Sequence, residues 1–182
     1  LACDADTEIT VTAGATEALF CAIAAVVHAG DEVIVLDPAY DSYDPVIRLQ
    51  GAVPVHVSLM APAYRIDWDR IEAAITANTR LLILNSPHNP TGMVMDESDI
   101  AALSALCAKY DIYLIGDEVY EHMVFDQAKH LSLCGYAELY ARSFVISSFG
   151  KTYHVTGWKV GYCVAPPALT KEFRRLHQYV TF

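Results

Sequence analysis

The sequence predicts an α/β protein, a three-layer α/β/α sandwich around a mostly parallel, roughly seven-stranded sheet. Three observations carry that prediction. Short β-rich runs alternate with helical stretches along all 182 residues, the pattern that strand–helix–strand crossovers produce. Several runs are apolar throughout, such as Val33-Ile34-Val35-Leu36 and Leu81-Leu82-Ile83-Leu84, as strands covered on both faces must be. The composition is 54% hydrophobic with only 19% charged residues, too apolar for a disordered chain and ample for a buried core.

Taken in order, strands are expected at 9–12, 32–36, 53–59, 80–84, 112–115, 144–147 and 159–164. Residues 16–29 are apolar almost all round and stop at Gly30, which predicts a deeply packed helix with Gly30 as its C-terminal cap. Asp67 can cap a shorter helix presenting Trp68, Ile71 and Ile75. Asp96 precedes a helix whose Ile100, Leu103, Cys107 and Tyr110 recur at three- and four-residue steps. A last helix begins at Pro167 and runs toward Gln178-Tyr179-Val180-Thr181-Phe182 with no stop signal. With no initiator Met at the other end, the chain reads as a piece of a longer one.

Composition also excludes. Twelve Lys and Arg against 22 Asp and Glu leave a charge of −10, the wrong sign for nucleic acid. The longest wholly apolar run, residues 18–27, is too short to cross a bilayer, and no basic leader is visible. The five cysteines (Cys3, Cys21, Cys107, Cys134, Cys163) are odd in number and scattered, so they read as reduced thiols in a cytoplasmic protein. No metal site is expected, because neither they nor the seven histidines show ligand spacing.

Ligands of open α/β sheets collect at the carboxyl ends of the strands, so the residues following each expected strand are the place to search. They are Ala13-Gly14-Ala15-Thr16, Asp37-Pro38-Ala39-Tyr40, Asn85-Ser86-Pro87-His88-Asn89, Gly116-Asp117-Glu118-Val119-Tyr120 and Ser148-Phe149-Gly150-Lys151. Gly14-Ala15-Thr16 reads either as a tight turn with a Thr cap or as a backbone cradle for one phosphate. Asp117, after an apolar strand, is either a structural cap or ion pair, or the partner of a cationic ligand. Lys151 is either a loop lysine or a nucleophilic amine, and its neighbours Phe149, Tyr153 and Val155 favour the second. Together these parts suit pyridoxal 5′-phosphate, which needs a lysine, a carboxylate for its ring nitrogen, a phosphate cup and a flat neighbour. Tyr40 offers the face; Asn89 and Tyr120 offer donors to the phenolic oxygen.

The motifs Ala13-Gly14-Ala15-Thr16-Glu17-Ala18-Leu19, Asp37-Pro38-Ala39-Tyr40-Asp41-Ser42-Tyr43, residues 85–92 (NSPHNPTG), 117–122 (DEVYEH) and 147–162 (SSFGKTYHVTGWKVGY) stand in one order across nearly the whole chain. In this the sequence resembles the large domain of fold-type I, class I/II aminotransferases, nearest the bacterial methionine aminotransferases and the kynurenine aminotransferase–glutamine transaminase K branch. The resemblance implies that residues 1–182 are a cofactor-binding large domain, without the N-terminal segment and the small C-terminal domain that relatives carry. It implies that Lys151 forms the internal aldimine and shuttles the proton between substrate and cofactor. Asp117 would pair with the ring nitrogen, Tyr120 and Asn89 would hold the phenolic oxygen, and Tyr40 would stack on the ring. Gly14, Ala15, Thr16, Ser148 and Lys159 would hold the phosphate, and Asn89–Pro90 is a candidate cis bond.

The activity so implied is ping-pong transfer of an amino group from an L-amino acid, methionine or another bulky, sulfur-containing or aromatic one, to a 2-oxo acid. A homodimer in the full-length protein is implied with it, and little turnover by this piece alone. Two rivals stand: a carbon–sulfur β-lyase of the same fold, and a non-catalytic α/β binding module. His88, His122 and Glu118 are read as structural, Tyr153 and Trp158 as core aromatics, and Asp41 and Tyr43 as near the pocket without a role.

Overall fold

A computed structural model describes residues 3–181. One sheet holds β1 (Ile9–Thr12), β2 (Glu32–Asp37), β3 (Val53–Ser58), β4 (Thr79–Asn85), β5 (Tyr113–Asp117), β6 (Ser143–Ser148) and β7 (Gly161–Val164). The strand order is β1-β7-β6-β5-β4-β2-β3. The pairs among β2 to β6 are parallel, whereas β7 is antiparallel to both β1 and β6. Six strands therefore run one way and β7 alone runs back. The helices are α1 (Ala5–Glu8), α2 (Ala15–Val26), α3 (Tyr43–Leu49), α4 (Trp68–Ala74), α5 (Glu97–Lys109), α6 (Ala137–Tyr140), α7 (Phe149–Thr152) and α8 (Pro167–Val180).

Period-two alternation splits the apolar strands between two cores. Val33, Val35, Leu81 and Ile83 pack with Leu19 and Ile23 of α2 and Phe173 of α8. Their neighbours Ile34, Leu36, Leu82 and Leu84 pack on the other face with Ile71 of α4 and Leu103 of α5. The predicted three-layer sandwich is the observed architecture.

The caps at Asp67 and Asp96 form as expected. Asp67 accepts from Arg70 N, and Asp96 and Asp99 close a reciprocal capping box at α5. Three expectations change. Helix α2 ends at Val26 with Val27 as its cap. Gly30, at φ +89°, instead serves the next turn, where its N–H donates to Gly51 O at 3.0 Å. The last strand begins at Gly161 and not at 159, because Lys159 takes a left-handed conformation (φ 52°) closing the 3₁₀ turn Thr156–Trp158. Tyr153 and Trp158 are not core residues: they are 63% and 76% exposed, Tyr153 as the C-cap of α7 and Trp158 at the end of a 3₁₀ turn that buries none of its residues.

This topology decides which chain segments meet. The carboxyl ends of β1, β2, β4, β5 and β6 open on one edge of the sheet. Because β7 runs the other way, its start faces that same edge, with Gly161 paired to Thr12 on one side and Ser148 on the other. Lys159 thereby arrives beside residues more than a hundred positions earlier in the chain.

Candidate active site

At that edge lies a cavity of about 180 Å³, and all ten residues singled out by sequence line it: Gly14, Ala15, Thr16, Tyr40, Asn89, Asp117, Tyr120, Ser148, Lys151 and Lys159. Leu19, Asn85, Val119, Gly150, Thr156 and Val160 complete the wall.

The anion-seeking end is the start of α2. Gly14 is its N-cap at φ +86°, a conformation that suits glycine, and no side chain caps the helix there. The early N–H groups of α2 are thus turned outward at the positive end of the helix dipole. Lys159 arches over them. A Cβ built on Gly14 would come within 3.2 Å of the Lys159 Nζ, so the missing side chain is what admits the ammonium group. Ser148 adds a hydroxyl at the head of α7, where its side chain makes no capping bond. The Thr cap considered from sequence is not formed. The arrangement is a backbone cradle with one cation and one hydroxyl, a donor set for a phosphate-like anion.

Across the cavity, Asp117 ends β5 and is only 4% exposed. Burial pushes its carboxyl up to about 6, with the Glu118 charge adding to the rise; the Tyr43 hydroxyl and the Val119 N–H pull the other way. Tyr43 donates to Oδ2 at 2.6 Å, whereas Val119 N reaches Oδ1 only at 3.4 Å. Among the described residues no Lys, Arg or His forms an ion pair with it. A buried carboxylate facing a cavity with no cation of its own is a seat for a cationic N–H of a ligand.

Asn85, at the end of β4, donates from Nδ2 to Asp117 O at 2.8 Å and accepts from Asn89 N at 2.6 Å. It thereby fixes the segment carrying Asn89, where Asn89–Pro90 is cis. Burial, with the Asp117 charge adding to it, raises the Tyr120 hydroxyl, so it remains a donor. The Tyr40 ring meets Tyr43 edge-on at 5.7 Å between centroids, which fixes the ring on the cavity wall. Lys151 sits on α7, held by the Thr156 hydroxyl donating to Gly150 O at 3.0 Å. Its neighbours Phe149 and Tyr153 are 41% and 63% exposed, so the apolar enclosure expected from sequence is open on that side.

The residues read as structural lie off the cavity. His88 is buried, its ring nitrogen 2.8 Å from Thr91 Oγ1, and burial lowers its pKa. Glu118 turns to the opposite face, accepting from Leu133 N at 3.0 Å and meeting His130 Nε2 at 2.8 Å. Glu121 accepts there from Ser147 and Tyr162, so this His and carboxylate cluster is internally bonded. Sequence reasoning missed two supports, Asn85 and Tyr43. Both lie inside the quoted motifs, at the head of Asn85-Ser86-Pro87 and three residues after Tyr40.

The chain is 53% identical over 179 residues to methionine aminotransferase of Escherichia coli K12, matching 98% of this chain but 46% of that protein. Human kynurenine–oxoglutarate transaminase 3 is 39% identical, matching 96% of this chain and 41% of that protein. Among solved structures, an Escherichia coli protein whose reactivity identified a methionine aminotransferase function superposes with a TM-score of 0.96 at 53% identity, over 98% of this chain and 47% of that one. N-succinyldiaminopimelate aminotransferase from Mycobacterium tuberculosis gives 0.94 at 42% identity, over 97% and 47%. The chain thus spans a little under half the length of these relatives. The family profile for aminotransferases of class I and II matches residues 1–182, and the chain belongs to that family.

Proposed function

We propose that residues 1–182 form the pyridoxal 5′-phosphate-binding large domain of an aminotransferase that moves an amino group from an L-amino acid to a 2-oxo acid. The observation that carries this reading is the pairing, on one cavity, of the cation-free buried carboxylate of Asp117 with the lysine amine of Lys151 and the capless start of α2. That donor set fits the cofactor at each end. When bound, the cofactor supplies an aldehyde that bonds amines and a protonated ring that accepts the electron pair left at the substrate α-carbon.

The chain's own residues then divide the work. Asp117 Oδ1 would accept the ring N–H and keep it protonated, while Tyr43 occupies Oδ2 and holds the carboxylate in place. The hydroxyl of Tyr120 and the amide of Asn89 would donate to the phenolic oxygen. Tyr40 would cover a ring face. Backbone N–H groups of Ala15 and Thr16, the Ser148 hydroxyl and the Lys159 ammonium would take the phosphate, with Gly14 leaving the room. Lys151 Nζ would take and return the proton at the substrate α-carbon.

Methionine is the donor we favour, supported by the 53% identity to a methionine aminotransferase. We infer a cytoplasmic homodimer, supported by five free cysteines and by the exposed aromatics Phe149, Tyr153 and Trp158 beside the cavity mouth. The test uses the purified full-length protein. It should show the visible absorbance of lysine-bound cofactor, and borohydride should fix the cofactor to the chain. Both should vanish in Lys151→Ala. Supplied with methionine and 2-oxobutyrate, the wild type should release the 2-oxo acid of methionine and no thiol. A borohydride-fixed cofactor in Lys151→Ala would refute the role of Lys151, and thiol release would favour β-elimination.

A further inference from the structure

A partly buried acid and base behind the start of α2 have no part in the chemistry above. Glu17, in the first turn of α2, accepts from Ala13 N through Oε2 at 2.7 Å. Its other oxygen, Oε1, lies 3.1 Å from His177 Nε2 on α8. The two side chains are 11% and 17% exposed, and neither of the facing atoms makes a hydrogen bond, so what joins them is proximity and not a hydrogen bond. The His177 ring is itself stacked on Phe173, at 5.9 Å between centroids and 24° between planes. Phe173 is 1% exposed within the core. A continuous line of contacts thus runs from the core through α8 to His177, Glu17 and the Ala13 N–H at the turn.

The consequence falls on the donors of that turn. Ala13 immediately precedes Gly14, whose outward-facing neighbours Ala15 and Thr16 offer N–H groups to the cavity. By taking the Ala13 N–H from behind, Glu17 sets the turn so that the following N–H groups face outward. A lone carboxylate so close to an anion seat would repel the anion, and His177 lies where a compensating hydrogen or charge is needed. Arg174, one turn earlier on α8, donates to Thr10 Oγ1 at 3.0 Å and Ile9 O at 2.6 Å, so the same helix also fixes the strand that feeds the turn.

We propose that Glu17 and His177 are positioning residues for the phosphate of the cofactor, a role that rests on the proposed function of the same cavity. Neither touches the ligand; they act through the Ala13–Thr16 turn. The test compares the affinity of the full-length apoprotein for pyridoxal 5′-phosphate with that for pyridoxal, which lacks the phosphate. Glu17→Ala should weaken the phosphorylated form by about tenfold, the scale of a lost charge-assisted hydrogen bond, and leave pyridoxal nearly unchanged. Glu17→Gln still offers an oxygen to Ala13 and should recover most of the loss. His177→Phe, which keeps the stack on Phe173, should show a smaller loss of the same kind. Equal weakening of both ligands, or an unchanged ratio in Glu17→Ala and His177→Phe, would overturn the proposal. If Glu17→Ala does not fold, His177→Phe decides by the same ratio. A wild type without preference for the phosphorylated form would instead defeat the underlying cofactor reading.

Discussion

A carboxylate as deeply buried as Asp117 destabilises the fold while it is ionised. Its proton leaves the unfolded chain near the ordinary 3.8 and the folded chain at about 6. Between those values the folded state holds the extra proton, so stability falls as pH rises through that window. Above both, the loss is of order 3 kcal/mol. Denaturation of the full-length apoprotein from pH 4 to 8 should therefore show a decline that Asp117→Asn lacks; parallel curves would contradict it. Tyr43→Phe removes the hydroxyl that holds the carboxyl down, and should move the midpoint of the decline upward.

The same pair marks the limit of sequence reading at this scale. Lys151, Asp117 and Tyr120 could be named because each residue type is out of place at a strand end unless a ligand meets it. Tyr43 could be placed near the pocket but not given its role, because its contact joins positions 74 residues apart and an aromatic after Tyr40 also suits a core.

At the scale of elements, strands were legible because apolar runs covered on both faces have few other homes. The short helices α1, α6 and α7, four residues each, carry too little periodicity to be read. The left-handed turn at Lys159 is not written in its residue type, since lysine has no preference for that conformation. Two residues beyond that turn, β7 fits closely against the start of α2. A Cβ placed on Gly161 would lie 2.7 Å from Gly14 C and 2.8 Å from Ala15 N, both backbone atoms. Gly161→Ala therefore must push the start of α2 away from β7. The expected result is a loss of about 1–3 kcal/mol in stability, together with weaker binding of pyridoxal 5′-phosphate, measured by chemical denaturation and by cofactor titration. A variant with unchanged midpoint and unchanged affinity would show that the two backbones have room to part.

For the whole molecule, the sheet brings the parts of one site together from every third of the chain, but it does not bring an arginine. No arginine lines the cavity among the described residues. Each is engaged elsewhere: Arg48 with Asp44, Arg65 with Asp96 and Asp99, Arg80 with Asp31, Arg142 with Asp111, and Arg175 with Glu172. Arg70 reaches Ser58 O, and Arg174 holds the backbone leading into β1. The cavity's cations are Lys151 and Lys159, which the proposed function commits to the α-carbon proton and the phosphate. A substrate carboxylate therefore finds no planar, two-pronged partner in these residues, and the amino acid is left poorly oriented at the reacting atom. The 182-residue chain, produced alone, should take up pyridoxal 5′-phosphate on Lys151 yet show kcat/KM for methionine at least about a hundredfold below that of the full-length protein, the scale of lost substrate orientation. Borohydride fixation would measure the first and a coupled keto-acid assay the second. Turnover by the isolated chain at the full-length rate would mean that substrate is gripped from within these residues, and the division of labour drawn here would have to be abandoned.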